Sequence, residues 1–151
     1  MALKYMEKKL VAVLMGGPSS EREISLKSGN AVCHALSDSE YQPIAIDAVD
    51  EWEDVINQAK PSVAFIALHG KFGEDGTVQS ILEDMNILYT GSGVEASRLA
   101  IDKIASRKIF RKAGIPVPEY TVVKKPSYEF NYKEIGFPMV VKPSLQGSSI
   151  G

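Results

Sequence analysis

Apolar residues come along this chain in short unbroken runs separated by amphipathic stretches, the pattern of strands buried on both faces alternating with helices. The first run, residues 10–15, is stopped by Gly16-Gly17-Pro18 and predicts a buried parallel strand. Ser20 and Glu23 then stand at capping-box spacing, with Ser20 as N-cap and Glu23 reaching back. The helix they open puts Ile24, Ser28, Ala31, Val32 and Ala35 on one stripe. A second strand is expected over residues 41–47, a helix over 52–59, and a third strand over 63–68 after the stop at Pro61. Asp75-Gly76 opens a helix carrying Val78, Ile81, Leu82 and Met85 on its apolar side. Residues 86–89 predict a fourth strand, ended by Thr90-Gly91-Ser92-Gly93. This alternation predicts an α/β fold: a Rossmann-like parallel sheet with right-handed crossovers.

Beyond Gly93 the pattern changes. Residues 94–113 read as helix, in one or two pieces, closed by Gly114-Ile115-Pro116-Val117-Pro118. Residues 120–124 and 138–142 are strand-like, with a polar segment and a short helix around 127–135 between them. Two strands without further partners do not make a stable sheet. Residues 1–93 are therefore expected to form a complete small domain, and 94–151 the opening of a second, unfinished one whose strand at 138–142 leaves an edge unpaired.

Composition narrows the function classes. The 151 residues are 44% apolar and 24% charged, with a formal net charge of −2. That balance offers no electrostatic case for nucleic acid or a membrane surface. No apolar run is long enough to span a bilayer, and the charged N-terminus lacks a signal-peptide core. A single cysteine, Cys33, excludes an internal disulfide and fits a reducing cytoplasm. Cys33 lies within a predicted helix with no base beside it, a poor setting for a nucleophile, and no Cys/His cluster has metal-ligand spacing.

The candidate chemistry lies in loops. Gly16-Gly17-Pro18-Ser19-Ser20-Glu21 follows the first strand, at the carboxyl edge where open α/β sheets bind ligands. It lacks both the Gly-x-Gly-x-x-Gly spacing of a dinucleotide site and the Gly-Lys-Ser/Thr of a Walker A loop. Glu21 is either a solvated first-turn carboxylate or one aimed into the cleft at a ligand ammonium. The loop His69-Gly70-Lys71-Phe72-Gly73-Glu74-Asp75-Gly76 follows the third strand at the same edge, with His69 at the strand end and Asp75 placed to cap the next helix. These two loops should face each other. His34 reads as an ordinary helix residue. Lys103 alone reads as a charged helix face. Lys142, ending a near-continuous apolar strand before the glycine–serine loop at 144–151, needs an anionic partner. A fixed cation followed by such a loop is suited to a nucleotide's phosphates.

Taken together, segments 11–25, 67–76 and 89–93, the pair Asp102-Lys103 and segment 141–151 resemble the D-alanine–D-alanine ligases, ATP-grasp enzymes of bacterial cell-wall synthesis. The resemblance implies a pre-ATP-grasp domain followed by the start of an ATP-grasp small subdomain. It implies a reaction in which ATP phosphorylates one D-alanine carboxylate and the amine of a second D-alanine displaces the phosphate. By matching, Glu21 resembles the carboxylate that orients the first D-alanine's ammonium. His69 resembles the histidine near its carboxylate, and Ile24 stands among the substrate-binding positions. Lys103 and Lys142 look like the lysines on the ATP phosphates, Gly147 and Ser149 like donors to the transferring phosphoryl group, and Ser148 like the serine linked to Glu21 in a catalytic relay. ATP and Mg2+ are the implied cofactors, with the metal ligands expected outside this chain. A cytoplasmic homodimer is implied for the full-length protein. Family members are much longer, so the chain is expected to be an amino-terminal fragment, inactive alone. An ATP-grasp ligase with another second substrate, such as D-lactate, and a non-catalytic binding or dimerisation module remain as alternatives.

Overall fold

The computed structural model describes residues 8–124 and 135–147. Its centre is a three-stranded parallel sheet of β1 (Lys9–Met15), β2 (Tyr41–Asp47) and β3 (Val63–Ile66), in the order β2-β1-β3. Helices α1 (Arg22–Ser37), α2 (Trp52–Ala59) and α3 (Thr77–Asp84) fill the connections, and α4 (Val94–Ile101) and α5 (Lys103–Lys112) follow.

β1 is the middle strand, which is why its apolar run is unbroken: Val11, Ala12, Val13, Leu14 and Met15 are all buried. Its alternating side chains serve two layers. Ala12 and Leu14 pack with Trp52, Ile56, Val78 and Leu82 on the α2 and α3 side. Val11, Val13 and Met15 pack with Leu26, Val32 and Leu36 of α1 on the other. Pro43, which cannot donate to a ladder, sits in β2, whose only partner among the described residues is β1.

The chain turns from β1 to β2 on one side and then crosses to β3 on the other. That reversal makes the carboxyl ends of β1 and β3 a topological switch point, where a crevice opens between two loops. The loops at 16–21 and 69–76 meet there, as expected.

Several details differ from the sequence reading. No capping box forms: the N-cap of α1 is Glu21, without a side-chain cap, and Ser19 rather than Ser20 accepts from the Glu21 N–H at 3.1 Å. The buried line of α1 runs through Ser25 and Gly29, with Leu26, Val32, Cys33 and Leu36 against the core. Ile24, Ala31 and Ala35 are exposed. Small size decides this. A Cβ on Gly29 would lie 2.5 Å from Met15 Cβ, so α1 can approach β1 only with glycine there. Ser25 tolerates full burial because its Oγ donates to the Ala67 carbonyl at 2.8 Å.

β3 ends at Ile66, although Ala67 N–H still bonds to the Leu14 carbonyl at 2.8 Å. The fourth strand shrinks to a single parallel bridge between Ala64 and Tyr89. Where its ladder would continue, the Thr90 hydroxyl accepts from Ile66 N–H at 3.2 Å, and Gly91 turns away at φ +104°. Tyr89 ties this bridge to α3: its hydroxyl donates to Glu83 at 2.6 Å, and that bond pushes its pKa up to about 12.

The long helix is two, broken at Asp102, whose carboxylate caps Ile104 and Ala105 of α5 at 2.9 and 3.0 Å. Residues 120–124 and 138–142 form no strand, contrary to expectation. Val140 and Val141 are 78% and 85% exposed. An apolar run forms a strand only against a partner strand and a covering layer, and neither reaches it among the described residues. The helix expected near 127–135 lies outside the described residues except for Ile135.

Candidate functional site

The first loop is held by its own charged neighbours. Gly16 and Gly17 both take φ +71°, a left-handed conformation open to glycine. A Cβ on Gly16 would fall 2.2 Å from Asp47 Oδ1, so the glycine also makes room for a charged pair. Arg22 Nη1 donates to Asp47 Oδ1 at 2.7 Å while Nη2 pairs with Oδ2. The same two side chains take both polar groups of Gly17: Asp47 accepts its N–H and Arg22 donates to its carbonyl, each at 3.3 Å. The bond from Arg22 holds the Asp47 carboxyl below the usual carboxylate range, and the same bond raises the Arg22 pKa.

A pH dependence follows. Asp47 is depressed in the folded state, so its contribution is fully present above the ordinary carboxylate value of about 3.9 and disappears as pH falls through the lower folded value. Both side chains are more than a third exposed, which limits the effect. Asp47→Asn is expected to lower the thermal midpoint by about 2–4 °C at neutral pH. That difference should narrow in melts taken at successively lower pH beneath the ordinary carboxylate value, as the carboxyl protonates in the folded state too. A gap that persists unchanged there would show that charge pairing is not the cause.

The second loop is closed from within. Asp75 accepts from Phe72 N–H and Thr77 N–H, both at 3.0 Å, one carboxylate serving the turn and the start of α3. Burial raises the Asp75 pKa, but these hydrogen bonds outweigh it and the net shift is downward. Buried Gln79 donates to the Gly73 carbonyl at 2.8 Å.

Ser19 joins the loops, its hydroxyl donating to the His69 carbonyl at 2.8 Å. Glu21 crosses the gap: a Cβ on Gly70, which takes φ +67°, would lie 2.5 Å from Glu21 Oε2. The Glu21 carboxylate is half-buried and has no hydrogen bond or ion pair among the described residues. A carboxylate held over a crevice without a partner is free to take a cation. The His69 ring lies between Ser28, with Nε2 3.0 Å from the hydroxyl, and Glu74, with Nδ1 3.9 Å from the carboxylate. Ile24, one turn before Ser28 on α1, is 54% exposed. An open hollow of about 470 Å³ between Pro18, Trp52 and Phe72 is lined by neither Glu21 nor His69.

The cations expected at the carboxyl end are placed differently. Lys103 opens α5; its N–H donates to the Ser144 carbonyl at 3.0 Å, and its Nζ reaches the Gln146 carbonyl. It therefore holds the segment that carries Gly147. Lys142 is exposed, without a hydrogen bond or ion pair among the described residues. Contrary to expectation Lys142 needs no anionic partner here, since water solvates both the apolar run and the lysine. Ser148 and Ser149 lie outside the described residues. No group of three or more His, Cys, Asp or Glu able to hold a metal occurs among the described residues. No described helix is long and apolar enough to cross a membrane. Cys33 is half-buried, and burial raises its thiol pKa, as suits an inert packing residue.

Sequence reasoning missed Ser19, Ser28 and the Arg22–Asp47 pair. The available signal was Asp47 itself, a carboxylate ending an apolar strand beside a glycine turn.

Two family models match the chain: D-ala D-ala ligase N-terminus over residues 10–60 and 48–92, and D-ala D-ala ligase C-terminus over residues 109–151. Among curated relatives, a D-alanine–D-alanine ligase of Desulforudis audaxviator is 51% identical over 144 residues, covering 93% of this chain and 47% of that protein. One from Citrifermentans bemidjiense is 48% identical over 151 residues, covering 100% and 49%. Among solved structures, the D-alanine–D-alanine ligase from Bacillus anthracis complexed with ATP aligns with a TM-score of 0.78 at 38% identity, covering 91% of this chain and 48% of that one. The chain thus spans about half the length of the relatives it matches. With the N-terminal family model matched through β1, α1, β2, α2, β3 and α3, and with similarity of this degree along nearly all of its length, the chain belongs to the D-alanine–D-alanine ligase family.

Proposed function

We propose that this chain is the amino-terminal part of an ATP-dependent D-alanine–D-alanine ligase that makes the dipeptide for peptidoglycan. The observation that carries the reading is the partnerless Glu21 carboxylate set against Gly70, next to His69, at the switch point of the sheet. In this reading residues 1–93 are the substrate-binding domain and 94–151 begin the ATP-grasp domain. Glu21 takes the first D-alanine's ammonium, with His69 and Ile24 beside the same substrate, and Ser148 joins Glu21 in the relay.

Lys103 and Lys142 fit a polyphosphate: one ammonium meets only a carbonyl and the other only solvent among the described residues. Gly147 and Ser149 give N–H donors to the transferring phosphoryl group in this reading. When bound, ATP supplies the phosphoryl group that turns a carboxylate oxygen into a leaving group for the second amine. This chain's part is positioning and charge neutralisation. The described residues do not fit a Mg2+ site. A cytoplasmic homodimer completes the proposal for the full-length enzyme.

The chain alone should release no D-alanine-dependent phosphate from ATP. Joined at Gly151 to the remaining half of the Desulforudis audaxviator relative, it should release phosphate when both substrates are present. Lys142→Ala should slow that chimera about tenfold or more, as expected for a lost charge-assisted contact. A folded chimera that stays silent beside the active relative sinks the reading.

A further inference from the structure

The Ser28 hydroxyl makes two contacts. It donates to the Ile24 carbonyl at 3.0 Å, one turn back along α1, and its Oγ lies 3.0 Å from His69 Nε2. A hydroxyl carries one hydrogen and two lone pairs. When that hydrogen goes to Ile24, Ser28 offers the ring a lone pair, and the proton between them then sits on Nε2. On the far side, Glu74 Oε1 is 3.9 Å from Nδ1, beyond hydrogen-bond reach, and its side chain is 44% exposed. Glu74 therefore does not hold a hydrogen on Nδ1 against the shorter Ser28 contact. Ser19 holds the backbone from which the ring projects, donating to the His69 carbonyl at 2.8 Å.

We propose that Ser28 is a positioning residue that fixes His69 as its Nε2–H tautomer, so that the neutral ring presents an Nδ1 lone pair on the Glu74 side of the crevice. Which nitrogen carries the proton decides what a histidine can bind. Resting on the ligase reading, the consequence is that neutral His69 offers the bound amino acid a hydrogen-bond acceptor at Nδ1 rather than a donor. The carboxylate contact implied by the family resemblance is then not its role in that form.

Ring-nitrogen NMR on the labelled 151-residue chain, at a pH where the imidazole is neutral, tests the tautomer directly. His69 should show a protonated, pyrrole-like Nε2 and an unprotonated, pyridine-like Nδ1. Ser28→Ala should lower the Nε2–H to Nδ1–H ratio about tenfold, the worth of one hydrogen bond, and Ser28→Thr should restore it. Exposed His34 should not respond to either variant. A predominantly Nδ1–H wild-type ring overturns the proposal, since Ser28 would then be the donor, and so does a ratio unchanged in Ser28→Ala. Should Ser28→Ala fail to fold, the wild-type tautomer and the Ser28→Thr spectrum decide. No ligand is needed, so this outcome is independent of whether the chimera turns over.

Discussion

Glu21→Gln is expected to lower kcat/KM for D-alanine in the chimera about ten- to a hundred-fold. The substitution keeps the shape of the side chain and removes its charge. The carboxylate bonds to nothing among the described residues, so folding uses its charge only through the N-terminus of α1, worth about 0.3–1 kcal/mol. An ammonium loses a charge-assisted hydrogen bond, worth about 1.5–3 kcal/mol, which corresponds to that loss in rate. Stability of the variant should stay within about 1 kcal/mol of wild type, the worth of a charge at a helix N-terminus. Steady-state phosphate release over a D-alanine titration, with a urea melt beside it, reads both quantities. Unchanged KM and kcat would remove Glu21 from the site. A large loss of stability would instead make it a structural residue of the crevice.

The features legible in the sequence are those set by local grammar. β2 and α2 have the expected bounds because each is a continuous pattern between turn residues. The meeting of the two loops was legible too, since it follows from strand order in an open parallel sheet rather than from side-chain detail. What escaped depends on partners distant in the chain. Hydrophobicity favoured Ile24 for the buried line of α1, but Gly29 wins because closeness to Met15 matters more than apolar area. Residues 138–142 have the composition of a strand, yet nothing among the described residues covers them, so Val140 and Val141 stay in water. Ser28 looked like filler on a helix stripe, and only the fold brings it to His69. Glu21 and His69 were legible as candidates because glycine-flanked polar residues at strand ends have few structural uses. Their supports, Ser19 and the Arg22–Asp47 pair, were not.

Gly73→Ala is expected to damage the crevice by a route that leaves the chemistry of every site residue intact. A Cβ there would stand 2.5 Å from Leu68 Cβ, 2.8 Å from the Leu68 carbonyl carbon and 3.1 Å from the His69 nitrogen. These are backbone atoms and a Cβ of the segment just beyond β3, which cannot swing aside as the tip of a long side chain could. Gly73 is not among the positive-φ glycines, so alanine suits the backbone conformation and the penalty is purely steric. Forced overpacking of this kind costs about 1–3 kcal/mol. It is opposed by the ~0.4–1 kcal/mol that replacing glycine contributes through the unfolded chain. The loop must lift, drawing the Gly73 carbonyl from Gln79 and His69 from Ser28. Gly147→Ala, where nothing lies within 4 Å of the added carbon, is the matched control and should unfold at or slightly above the wild-type midpoint. Urea unfolding of both variants, together with the His69 ring spectrum, separates the outcomes. A Gly73→Ala chain as stable as the control, with its His69 tautomer unmoved, would mean that the second loop does not rest on the end of β3. The crevice between the loops would then lack the rigid wall on which both Glu21 and His69 depend.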